Sequence, residues 1–204
     1  DRRKTLLSYN DFMEEWNMHK RIITALLTAV MCLGMTACTS SGDRHAAGVV
    51  HNTPQLLLGN AWNRMDEAEK PTIMGGFGDD LAEDEPKAVN LKNAEALSTT
   101  FTVPEDVIQA SSAGAAMMNA MMANFFTASS WAIKDPAKIE EFAAQSQIHL
   151  ENNQWLCGMP EYYAVAQCGD NLVVTYGLRN TVRDFVSCLE KADSSTKIIM
   201  EGNF

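Results

Sequence analysis

The 204-residue chain is 46% hydrophobic and 21% charged, and its 26 acidic residues against 16 basic ones give a net charge of −10. Such an acid excess argues against a nucleic-acid partner, because binding phosphate requires a basic surface. The length suffices for one ordinary domain with a core of its own or for two very small lobes, and one domain is expected.

The first seventeen residues, DRRKTLLSYNDFMEEWN, precede a stretch that itself looks like the start of a protein, MHKRIITALLTAVMCLGMTAC from Met18 to Cys38. Residues 1–17 are therefore expected to be a non-native upstream extension. His19, Lys20 and Arg21 form a short basic segment, thirteen uncharged residues follow from Ile22 to Gly34, and Thr36 and Ala37 are small. That is the layout of a secretory signal peptide, placed at 18–37. A membrane-spanning helix needs about 20 apolar residues, so the run is too short to be a stable anchor.

Met35-Thr36-Ala37-Cys38 resembles the lipobox of bacterial lipoproteins, with Met where Leu is usual. The resemblance implies cleavage between Ala37 and Cys38, a lipid on the Cys38 sulfur, and a palmitate-labelled protein held on the extracytoplasmic face of a cell membrane. Two or three acyl chains at roughly 0.8 kcal/mol per buried CH₂ hold a protein there stably. The alternative is an ordinary cleaved signal with Cys38 as a bystander. The mature chain from Cys38 would have 167 residues, 22 of them acidic and 11 basic, for a net charge near −11. Residues 38–53 are small and polar without a sustained period, as in a flexible tether. Fully extended at about 3.5 Å per residue, it would reach roughly 50 Å.

Beyond the tether, 54–204 is expected to form a single small α+β domain. Leu57, Ala61 and Met65 recur at a spacing of four and predict a helix opening at Pro54. Gly75-Gly76-Phe77-Gly78-Asp79-Asp80 and Glu83-Asp84-Glu85-Pro86 predict a solvated, acidic, glycine-rich loop. It lacks the ligand spacing of a calcium loop and the Lys-Ser/Thr of a phosphate loop, and no metal is expected there. Asn93 caps a short helix to Thr100, and Pro104 opens another toward Ala110. From Ala113 to Met122 the Ala and Met content favours helix, yet the apolar alternation carried on to Ile133 favours a strand covered on both sides, with a kink near Asn119. A strand is predicted from Asn124 to Ile133. Asp135 then caps a helix to Asn153 that buries Ile139, Phe142, Ala143, Ser146 and Leu150. Tyr162–Gln167 and Leu172–Tyr176 form a hairpin, and Asn180 caps a final helix with Val182, Phe185, Val186 and Leu189 on one face. The C-terminal part thus reads strand, helix, hairpin, helix.

The succession SWAIKDPAKIEEFAAQSQIHLENNQW, PEYYAVAQCGDNLVVTYGL and NTVRDFVSCLEKA resembles the small bacterial lipoproteins of the domain of unknown function 4358 family over roughly residues 94–192. That resemblance implies an α+β fold and a lipoprotein address. It carries no catalytic residue.

Cys157, Cys168 and Cys188 are candidates for a disulfide outside the cytosol or for packed thiols. A nucleophilic Cys needs a neighbouring base, and His149 is the sole His in the folded part, while His45 and His51 fall in the tether. Met117, Met118, Met121 and Met122 are expected to pack in the core. Trp155, Tyr162 and Tyr163 are the candidate partner surface, the alternative being an aromatic cluster over the core. No cofactor, no metal and no enzymatic activity are expected. The chain reads as a binding or scaffolding module at the cell envelope, bound to the membrane through its lipid and to an unidentified envelope protein or small ligand. The rivals are a protein capturing a small molecule or peptide for a transporter and, more weakly, a thiol-dependent enzyme using Cys157 or Cys168.

Overall fold

The computed structural model describes residues 52–68, 70–156 and 158–204. The expected signal peptide with Ala37, Cys38, and most of the expected tether, His45 and His51 included, lie outside them, as does Cys157. The described chain is α+β, an antiparallel eight-stranded sheet with helices against both faces.

Helix α1 (Pro54–Trp62) starts where Thr53 accepts a hydrogen bond from the Leu56 amide, with Pro54 in the first turn. The glycine-rich segment then departs from expectation. Instead of a loop it forms a hairpin, β1 (Ile73–Phe77) and β2 (Asp80–Glu83), pairing from Met74↔Glu83 to Phe77↔Asp80. The reason is a close backbone approach: a Cβ on Gly75 would stand 2.0 Å from the Glu85 carbonyl oxygen, and one on Gly76 2.1 Å from that of Asp80. Only glycine admits strands this tightly. The short strand β3 (Lys87–Ala88) follows.

Helix α2 (Ala94–Phe101) is capped by Asn93, as its sequence predicts, and α3 (Glu105–Gln109) follows. β4 (Ser111–Asn119) ends at Asn119, whose side chain accepts from the Met121 and Met122 amides at 3.0 Å each and so turns the chain. A single 3₁₀ turn leads into β5 (Phe126–Ile133). Asp135 caps as expected but over a 3₁₀ turn, after which α4 (Ile139–Glu151) buries the five predicted residues. β6 (Tyr162–Cys168) and β7 (Asn171–Gly177) form the predicted hairpin around Gly169-Asp170.

Helix α5 (Arg179–Ala192) corrects the cap at Asn180: Leu178 holds the N-cap position and makes no side-chain bond, while Glu161 accepts from the Arg179 amide at 3.0 Å. The chain closes with a strand absent from the sequence expectation, β8 (Lys197–Asn203), which pairs with β6.

The strand order is β2-β1-β4-β5-β7-β6-β8, with β3 sharing the β1 side of β4. α4 links β5 to β6 across β7, and α5 links β7 to β8 across β6, both stepping the same way along the sheet. Because β5 and β7 run in opposite directions, crossovers of one hand must pass on opposite faces. They do. α1 and α5 cover one face through Leu57, Trp62, Phe185 and Leu189, packed on Phe126, Ala128 and Val173. α2, α3 and α4 cover the other through Phe101, Ile108 and Phe142, packed on Trp131, Val165 and Val174. Strands buried on both faces lose the charged half of their alternation, which is why Ala113–Ile133 reads as largely apolar.

The chain enters this body at one end of the strands. The Asn171 side chain donates to the Asn52 carbonyl at 3.0 Å, and the Asn52 side chain donates to Asp193 at 3.2 Å. Asn171 stands opposite Ala132, whereas Gly177, at the far end of β7, stands opposite Phe126.

Candidate functional site

Four connections meet at the Gly177 end, away from the point of chain entry. They are the end of α2, the β4–β5 connection, the α4–β6 connection and the end of β7. Residues 96–104, 107–133, 152–160 and 171–178 contain no Asp, Glu, Lys or Arg, in a chain that is 21% charged. Buried strands explain part of that, but the connections are at the surface and would ordinarily carry charge.

Between them lies a cleft of about 710 Å³, lined by Thr100, Thr102, Met122, Asn153, Trp155 and Tyr176 among others. The segments are tied together at the rim. The Asn124 side chain donates to the Gly158 carbonyl at 2.6 Å, the Leu178 amide donates to the Phe125 carbonyl at 2.8 Å, and the Glu161 amide to the Gly177 carbonyl at 2.9 Å. Above them stand Met121, 89% exposed, and Leu156, 92% exposed, with Met159, Phe125 and Leu178 also at the surface. Five of the eight exposed large hydrophobic residues of the described chain therefore gather at this end.

The floor is aromatic. Trp155 packs on Tyr176 with ring centres 5.1 Å apart and on Phe204 at 5.4 Å, and Phe204 reaches Tyr163 at 5.3 Å. The Trp155 Nε1 is buried without a hydrogen-bond partner. The Tyr176 hydroxyl lies 3.3 Å from that of Thr102, and burial pushes its pKa up. Thr102 caps α2 in the left-handed region at φ +51, its amide donating to the Ser98 carbonyl, and this ends the helix before α3 begins. An uncharged lining of this kind strips water from a guest without offering it a counter-charge, so it discriminates against ions.

The sequence candidates separate. Trp155 is part of the cleft. Tyr162 and Tyr163 are neighbours on a strand and so point to opposite faces, which corrects the idea of one shared surface. Both are buried. The Tyr162 hydroxyl donates to Glu201, with the Arg183 and Arg179 guanidinium groups 5.0 and 5.6 Å from its ring centre. The Tyr163 hydroxyl donates to Glu151 at 2.6 Å and accepts from Gln147 at 2.9 Å; burial, then this carboxylate, push its pKa up to about 12.

Cys168 and Cys188 are free and buried. Burial pushes the Cys168 thiol up to about 12, its Sγ standing 3.2 Å from the Thr196 hydroxyl. That keeps it protonated at neutral pH and unsuited to nucleophilic attack. Burial lowers the pKa of His149 on α4. Of the four methionines, Met117 is in the core, Met118 packs against it, and Met121 and Met122 belong to the cleft, which corrects the expectation that all four fill the interior. Among the described residues no group of three or more His, Cys, Asp or Glu is arranged to hold a metal ion.

The residues missed from sequence are Thr100, Thr102, Asn153 and Tyr176. The signal that would have found them is the run of charge-free connections, visible along the chain but meaningful only once the four segments are known to converge. Comparison with family models, with curated proteins and with solved structures gives no match for this chain.

Proposed function

We propose that the chain is a binding module of the cell envelope, anchored through lipid on Cys38, that receives an uncharged and partly apolar portion of its guest in the cleft at the Gly177 end. The observation that carries this is the convergence of four charge-free connections on a cleft of about 710 Å³ beneath the exposed Met121 and Leu156. Exposed apolar clusters of this kind mark interaction sites, and methionine side chains adapt to what they meet. The anchor rests on the Met35-Thr36-Ala37-Cys38 pattern behind the basic His19-Lys20-Arg21 segment and the uncharged run to Gly34. A thiol enzyme draws no support from Cys168, whose buried thiol stays protonated.

Site-specific photocrosslinking in cells tests the module. A benzophenone amino acid at Met121 or Leu156 is expected to give a discrete adduct, and one at Glu190 is not. Equal labelling at both ends, or none at the cleft, defeats the proposal. Metabolic palmitate labelling checks the anchor and is expected to vanish in Cys38→Ser. Capture of a small molecule for a transporter is the second reading, favoured by a cleft volume within the usual ligand-pocket range of roughly 300–1,000 Å³.

A further inference from the structure

We infer that the guest of this cleft is a protein segment with an apolar anchor flanked by lysine or arginine, an inference that rests on the binding reading above. The apolar side chains argue for size. A pocket for a small molecule hides its hydrophobic groups inside, whereas here Met121 and Leu156 line the cleft yet stand almost fully exposed, with Met159, Phe125 and Leu178 also exposed at this end. Exposed anchors outside a cleft contact something that extends past it.

The charges argue for sign. Three of the four uncharged segments are bounded by exposed acid: Glu95 lies one helical turn before Thr99, Glu105 and Asp106 follow Thr102 within four residues, Glu151 precedes Asn153, and Glu161 follows Pro160. None of these five carboxylates is in a salt bridge within the described residues. Glu151 accepts from Tyr163 and Gln147, and Glu161 from the Arg179 amide, which leaves their negative charge uncompensated. Arg179 borders the same rim, and its guanidinium is occupied with Asn203 at 2.5 Å and with the Tyr162 ring, on which the Arg183 guanidinium also lies at 5.0 Å. An uncharged centre within an acidic border selects an apolar segment with basic flanks and repels an acidic one. An anionic bilayer is repelled on the same grounds.

A random dodecapeptide library displayed on phage, panned against the full chain, tests the inference. Enriched clones are expected to share an apolar core with Lys or Arg on at least one side. Their retention should drop as salt rises from about 0.1 M to about 1 M, which shortens the screening length from roughly 10 Å to roughly 3 Å. The Met121→Ser/Leu156→Ser variant, altered only at exposed positions, should bind the winning synthetic peptides more than tenfold more weakly while its melting temperature stays unchanged. Enrichment of peptides with uncharged or acidic flanks overturns the inference and leaves the binding module standing if the photocrosslinks persist. No enrichment, or peptide binding indifferent to the double substitution, also overturns it, and a neutral small molecule that raises the melting temperature would then identify the guest class.

Discussion

Replacing Gly177 with alanine should be among the most damaging single-methyl additions to this protein. Gly177 has φ +150 and ends β7 between Phe126 of β5 and Tyr162 of β6. A Cβ there would lie 2.3 Å from the Phe125 carbonyl oxygen and 2.6 Å from its carbon, against an ordinary contact of 3.4 Å or more. The backbone must yield by about 1 Å, and the Leu178–Phe125 and Glu161–Gly177 hydrogen bonds go with it. Strain at such a φ costs about 1–3 kcal/mol and each bond about 0.5–1.5, together roughly 2–6 kcal/mol. Gly78 provides the control. It has φ +69, but nothing lies within 4 Å of a Cβ built on it, so Gly78→Ala carries only the left-handed penalty of about 1–2 kcal/mol. Urea titration of the full chain by tryptophan fluorescence separates the two. With a slope near 2 kcal/mol per M, the midpoint should fall by about 2 M for Gly177→Ala and by less than about 1 M for Gly78→Ala. Equal shifts would refute the argument, because backbone conformation alone would then explain both.

Phe185→Ala empties a fully buried site beside Phe126, 5.5 Å away ring to ring, and should cost about 3–5 kcal/mol, read as a lower midpoint with an unchanged slope. Cys168 should resist a water-soluble thiol reagent at pH 7.5 in the folded chain and react promptly in denaturant, since its thiol is buried with its pKa near 12. Burial lowers the His149 pKa, so below about 6.5 the unfolded chain takes up a proton that the folded one resists. Stability is therefore complete above that pH and declines as pH falls through it, and His149→Gln should flatten the decline in urea titrations at pH 7 and pH 5.

Local signals survived into the structure wherever they were also the signals the tertiary fold uses. The α4 face from Ile139 to Leu150 is buried residue for residue, because a single helix stripe packs on a flat sheet. Asn93 caps α2 because nothing nearby competes for the Ala96 amide. Asn180 lost its role to Glu161, a residue across the hairpin that no local window contains. The Gly75–Gly76 strand was illegible for a related reason. Glycine lowers strand propensity, and what makes it obligatory is the approach of Glu85 and Asp80 backbone, a fact of packing. β8 is a seven-residue strand that follows a helix, with Ile198, Ile199 and Met200 in sequence and no turn signal of its own beyond Asp193–Ser195. Of the candidate site, Trp155 was visible as an aromatic next to amides. Its partners Tyr176 and Thr102 were not, since 74 residues separate their hydroxyls along the chain.

The placement of Asn52 has a consequence for standing height. The incoming chain is fastened beside Asn171 and Asp193, and the cleft opens seven residues of strand away, a distance of roughly 20 Å. Were Cys38 lipidated, as proposed, the body would be held by the end opposite the cleft. A partner anchored in a second layer, or one arriving from solution, would meet Met121 and Leu156 before any other part of the molecule. Moving the attachment to the C-terminus, where the Phe204 amide donates to the Glu161 carbonyl at the Gly177 end, would invert that order and set the cleft against the lipid.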